Sequence, residues 1–162
     1  MPIRHTDKGW FWGSKGPFDT KAKALSVVRA AHASGFKEEN EMNQENVAEF
    51  LSGLLHSVTI THIYHLQTRS YSQHVALGAF YDEVSDLTDA LIEAYQGKYG
   101  IVNGYNLDAG ALATTALEYM IGLSHFVENG RVDMPQDSEI QNMIDEIASL
   151  IDSTVYKLRF LG

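Results

Sequence analysis

The sequence predicts a mainly α protein, a four-helix bundle preceded by a small strand–helix (α+β) module. Three observations predict it. Between residues 45 and 162, four stretches of about 20–26 residues repeat apolar positions at the helical period. Apolar residues make up 44% of the 162-residue chain without a low-complexity tract, enough to fill one substantial core. Charge divides the chain. Residues 1–37 hold seven Lys/Arg against Asp7 and Asp19, a net +5, while the other 125 residues hold five basic and 19 acidic groups, a net −14. A basic, aromatic module over 1–37 is therefore expected apart from an acidic bundle over 45–162. The polar run EENEMNQ at 38–44 reads as a linker or an early helical turn.

The module opens with IRHTDKGWFW, aromatic and weakly alternating, which reads as a strand. GSKGPF follows as a turn punctuated by Gly13, Gly16 and Pro17. Thr20 is placed to cap a helix through KAKALSVVRAAHASG that stops at Gly35. The first long helix is expected from about Asn43 to Thr68, with Val47, Leu51, Leu54, Val58, His62 and His65 along one stripe and Phe50, Leu55 and Thr61 beside it. RSYSQ breaks it. A second helix runs from near Ser72 to Gln96 on Leu77, Phe80 or Tyr81, Val84, Leu87, Leu91 and Tyr95. After the glycine-rich GKYGIVNGYN, a third is expected from about Asp108 to Glu128, with Leu112, Ala116, Tyr119, Leu123 and Phe126 on one face. NGRVDMP stops it, and a fourth opens at Asp137 or Ser138 with Ile140, Ile144, Ile147, Ile151 and Val155 as its stripe.

With no cysteine, disulfides and thiolate metal sites are excluded, and a metal would have to be held by His, Asp, Glu and water. No apolar run is long enough to span a bilayer, and MPIRHTDKGWFWG lacks the apolar core of a secretory signal, so a cytoplasmic protein is expected. An acidic body repels nucleic acid and gathers cations; a basic head suits DNA or an acidic protein.

The chemistry concentrates between His65 and Glu93. Asp82, Asp86, Asp89 and Glu93 are spaced 4, 3 and 4 apart, which places them on one helix face, offset from the apolar stripe and nearly opposite the core. Residues 70–97 contain no Lys or Arg to neutralise them. The chain has no Glu-x-x-His, so a di-metal site inside its own bundle is not expected. An outward acid stripe is either a solvated face or one half of a site between subunits, in which His65 and His74 of a second chain supply nitrogen ligands. His62, three residues before His65, reads more readily as a core histidine than as a ligand. Glu118 and His125 read as structural or surface groups.

The register His65, His74, then Asp89 fifteen residues on and Glu93 four beyond, resembles the Dps-type mini-ferritins, a ferritin-like four-helix family that protects DNA. The resemblance implies a ferritin-like bundle and a homo-oligomer with a two-fold interface through the first two long helices. It implies Fe(II) oxidation, with Zn or Mn as other candidate metals, and His65, His74, Asp89 and Glu93 as ligands. Two departures stand out. The histidines are nine residues apart where the family typically has about twelve, and Gly78 occupies a place that often carries an acid, which leaves Asp82 or Asp86 to substitute.

The head pattern DKGW-x-W-GSKGPF-x-TK-x-KAL is similar to strand–helix modules of tailed-phage proteins, some of them attached to prohead assembly components. YQGKYG and SEIQNMIDEI are similar to phage proteins of ferritin-like type. This implies a second reading, a virion or assembly protein without iron oxidation, in the host cytoplasm or the virion. In either reading Lys8, Trp10, Trp12 and Lys15 are the candidate contacts to DNA or to a capsid or scaffold partner, with at least one Trp expected to pack inward.

Overall fold

The start of the chain is a hairpin rather than one strand. The computed structural model describes residues 3–12, 15–33, 39–110 and 112–162. In it β1 (Ile3–Thr6) and β2 (Gly9–Trp12) pair antiparallel, Thr6 facing Gly9 across Asp7 and Lys8. The Lys8 amide donates to Thr6 Oγ1 at 3.3 Å. Gly9 takes φ 121°, which L side chains rarely adopt, and a Cβ there would come within 2.9 Å of the Phe18 carbonyl oxygen. Weak alternation across IRHTDKGWFW concealed this two-residue turn. The expected turn GSKGPF also differs, since Lys15–Phe18 forms edge strand β3 beside β2. Pro17 is tolerated because an edge strand needs no donor on its open side. Helix α1 (Lys21–Ala33) begins as expected, the Lys23 amide donating to Thr20 Oγ1 at 3.2 Å. Its expected stop at Gly35 lies outside the described residues. Trp12 and Ala24 are buried within this unit.

The chain divides into two units, Met1–Met42 and Asn43–Gly162. Residues 39–44 are helical rather than a linker: they open α2 (Glu39–Gln67). The bundle is completed by α3 (Tyr71–Tyr99), α4 (Ala116–Gly130) and α5 (Ser138–Phe160). Ser70 caps α3, accepting from the Gln73 amide, and Asp137 stands at the N-cap of α5. Ile140, Ile144, Ile147 and Ile151 line the core, as their spacing predicts. They meet Leu77, Phe80, Val84 and Leu91 of α3, Met120 and Val127 of α4, and Val47, Leu51 and Leu54 of α2 in one apolar cluster. Lys98 at the end of α3 reaches Asp137 (2.6 Å) and Glu139 (2.7 Å) at the start of α5, and the Lys98 hydrogen bond holds the Glu139 carboxyl below its usual range.

Two helices depart from the expected pattern. On α2 the buried stripe runs from Leu54 through Ser57 and Thr61 to Tyr64, so His62 is exposed, His65 half-buried and Leu55 exposed. The two buried serines of α2 bond back to their own helix, Ser52 Oγ donating to the Ala48 carbonyl (2.6 Å) and Ser57 Oγ to that of Leu54 (2.7 Å), whereas Thr61 Oγ1 meets no partner among the described residues. On α4 the start moves from the expected Asp108 to Ala116. Thr115 and Glu118 form a capping box, each side chain taking the other's backbone N–H. Upstream, the Asn106 side chain accepts from the Asp108 amide, the Asp108 side chain accepts from the Gly110 amide, and Gly110 takes φ 70°. Those local bonds compete with a helix, and Leu112 lies in the connecting segment, half-exposed. Among the described residues no helix is long and apolar enough to cross a membrane.

Candidate functional site

The turn Thr68–Ser70 returns α3 against the end of α2 and brings His65 and His74 face to face. Their rings stack with centroids 3.7 Å apart and planes 25° apart. Each ring reaches the other residue's backbone: His65 Nδ1 donates to the His74 carbonyl (2.8 Å), and His74 Nδ1 to the His65 carbonyl (3.1 Å). A carbonyl oxygen can only accept, so each Nδ1 carries a proton, and in the neutral ring the lone pair sits on Nε2. Neither Nε2 meets a hydrogen-bond partner among the described residues.

The pair extends into an aromatic cluster. Tyr81 lies edge-on to His65 (5.3 Å between centroids) and against His62 (4.5 Å). Gly78 makes the arrangement possible, since a Cβ there would stand 3.3 Å from Cε1 and Nδ1 of His65. Any side chain at this position would start tight against the imidazole.

Asp82, Asp86, Asp89 and Glu93 are all exposed, on the outer side of α3 that their spacing predicts. Asp89 follows His74 by 15 residues, which is about 22 Å along the helix at 1.5 Å per residue. The histidine pair and the Asp89–Glu93 pair are therefore not brought together within one chain. Among the described residues, no group of three or more His, Asp or Glu is placed to hold a metal ion.

In the N-terminal unit Lys8 is exposed at the hairpin turn, whereas Trp12 is only 3% exposed and acts in packing. Trp10 is half-buried, its ring under the Lys21 ammonium (5.5 Å) and beside His5 (4.6 Å). Lys15 lies over Trp12 (5.3 Å). The aromatic groups read as candidate stacking surfaces are thus largely engaged with the unit's own cations and helix.

The family pattern described as "Family of unknown function (DUF5856)" matches residues 65–158. The chain belongs to this family. The DUF5856 segment begins at the His65 ring and takes in the whole of α3, the connection to α4, and α5 as far as Leu158. The basic N-terminal unit and most of α2 lie outside the DUF5856 match. No curated protein and no solved structure matches the chain.

One region of the DUF5856 segment was not foreseen. Residues 100–110 and 112–115 form a strap without helix or strand along the groove between α2 and α4. His56 Nε2 donates to the Asn106 carbonyl (2.8 Å), the Asn106 amide to Ser52 Oγ (2.9 Å), and Tyr64 Oη to the Ala113 carbonyl (2.6 Å). Burial pushes the Tyr119 hydroxyl well above the ordinary tyrosine range, with Tyr64 adding to the effect. The sequence signals available were the Thr115–Glu118 spacing of a capping box and the run Asn106–Gly110 that ends in glycine.

Proposed function

We propose that this protein binds Fe(II) at a site shared between two copies and oxidises it there, in the manner of a mini-ferritin, with Zn or Mn as competing metals. The observation that carries the reading is the reciprocally hydrogen-bonded pair His65–His74. Both Nδ1 atoms are occupied by carbonyls, and neither Nε2 meets a partner among the described residues. Metal-ligating histidines are commonly fixed in this way by a partner on the other ring nitrogen. Imidazole with carboxylate suits Fe, Zn and Mn.

The carboxylates would come from a second copy. A two-fold axis crossing α3 near Tyr81 and Asp82, midway between His74 and Asp89, would lay the histidine end of one α3 on the Asp89–Glu93 end of the other. Leu55 (42% exposed) and Leu66 (69%) on α2, and Tyr71 (82%) and Val75 (50%) on α3, are uncovered apolar groups suited to such an interface. The residues' part is to hold the ions and fix their spacing, with Asp82, Asp86 and His62 as the next available donors. In this reading the basic unit, through Lys8, Lys15 and its other exposed cations, associates with DNA or an acidic assembly partner.

The competing reading is a structural phage component with the same bundle and no iron oxidation. It is favoured by Gly78, which supplies no carboxylate and lies close against the imidazole of His65. Stopped-flow Fe(II) oxidation by peroxide separates the two. The wild type should accelerate oxidation in proportion to protein, and Asp89→Ala with Glu93→Ala should abolish most of the rate. No protein-dependent rate, or a monomer by light scattering, overturns the proposal.

A further inference from the structure

The groove between α2 and α4 is spanned rather than filled. Tied down at Asn106 and again at Ala113, the strap leaves Leu107–Gly110 exposed between its anchors. Beside it lies a cleft of about 340 Å³. That is within the range of about 300–1,000 Å³ common for small-molecule sites. At Gly122, in its lining, a Cβ would meet nothing within 4 Å, so the space before that residue is open. A second cleft of about 320 Å³ adjoins it and shares Glu49 and Phe126.

The lining has a definite chemistry. Glu49, Asp108 and Glu118 border the first cleft and Asp133 the second, and among the described residues no Lys or Arg lines either. Phe126 and Leu123 give apolar wall between the acids. Tyr119 also lines the first cleft, and its hydroxyl finds no hydrogen-bond partner among the described residues. An anion would be repelled here. A bare metal ion would leave the aromatic wall unused, and among the described residues no group of three or more metal-ligating residues is assembled. A chain of methylenes carrying ammonium groups uses every part. Its charges meet the carboxylates and the Tyr119 oxygen, its methylenes lie on Leu123 and Phe126, and an ammonium over Phe126 gains a cation–π contact.

We propose that the α2–α4 groove binds a linear aliphatic polyamine, with ammonium groups at Glu49, Glu118 and Asp133 and its methylenes across Phe126. This does not depend on the metal site, which lies on the other side of α2.

An acidic body attracts any polycation weakly, so the test rests on shape. Spermidine is titrated calorimetrically into the full chain at about 0.15 M salt, where long-range attraction between exposed charges is screened. One saturable site is expected. Gly122→Leu, which fills the cleft with a good helix former, should weaken binding about tenfold or more by steric exclusion. Glu49→Gln with Glu118→Gln should weaken it comparably, and glutamine at 118 can still close the capping box. Glu83→Gln with Glu146→Gln, which removes the same charge elsewhere, should leave it unchanged. Absence of a saturable site overturns the proposal. So does equal weakening by the Glu83/Glu146 pair, or full binding in the Glu49/Glu118 pair. Melting curves identify any variant that fails to fold, and the remaining pairs still decide the outcome.

Discussion

Toward α3, helix α2 closes: Gly78 admits the His65 ring, the two imidazoles stack, and each ties itself to the other residue's backbone. Toward α4 it stays open: Gly53 receives the edge of Phe126, Gly122 leaves space, and the strap borders a cleft without filling it. The difference teaches where each side must find its ligand groups. On the closed side the two Nδ1 atoms are spent on backbone carbonyls, and in the proposed metal-binding reading the carboxylates have to come from another molecule. The open side gathers acids, an aromatic wall and a free hydroxyl from three segments of one chain.

The largest way to stress the comparison is alkali, which should act on the open side first. Burial raises the hydroxyls of Tyr119 and Tyr64 above the ordinary tyrosine value, helped at Tyr64 by the charge of Glu118. The native state then holds these protons more tightly than the unfolded chain does. Their contribution is complete below the unfolded value of about 10 and is lost as pH rises above it. Denaturant midpoints measured from about pH 8 to about pH 12 should be level and then fall, and Tyr119→Phe should flatten the fall. An unchanged profile in that variant would remove Tyr119 as the cause.

Next comes Gly53→Ala, whose Cβ would stand 2.4 Å from the Phe126 ring. The ring must move into the cleft or α4 must shift, for a loss of about 1–3 kcal/mol in chemical denaturation. A neutral result would mean that Phe126 does not wedge the two helices apart. The smallest effects contrast two helical glycines. Gly122→Ala meets nothing and should stabilise by about 0.5–1 kcal/mol through helix propensity. Gly78→Ala gains the same propensity but pushes on His65 at 3.3 Å, so its net change should be smaller than that of Gly122→Ala. The imidazole NMR signals of His65 and His74 should move in the Gly78 variant and stay in place in the other.

Much of the fold was legible in the sequence because burial follows hydrophobic period. Ile140, Ile144, Ile147 and Ile151 announce α5, and Leu77, Val84 and Leu91 announce α3. What period missed has local causes. Ser57 is buried while His62 is not, because hydropathy gives no credit for a hydroxyl that donates to its own helix's carbonyl. The start of α4 was misplaced because Leu112 fits a helical phase, whereas the chain from Asn106 to Gly110 satisfies its polar groups in turns.

The candidate sites divide along the same line. Helical phase alone placed Asp82, Asp86, Asp89 and Glu93 on one exposed face, since a fixed rotation per residue carries that information without any partner. Residue order also put His65 and His74 on either side of a turn. It did not say that their rings stack, that both Nδ1 atoms are taken by carbonyls, or that Gly78 makes the room. Nor did it bring Glu49 to one cleft with Asp108 and Glu118, for Glu49 stands on α2, dozens of residues before the strap and α4 that carry the other two. Groups close in sequence are held by local geometry. Groups distant in sequence meet only where core packing sets one helix against the next, and that decision belongs to the tertiary structure.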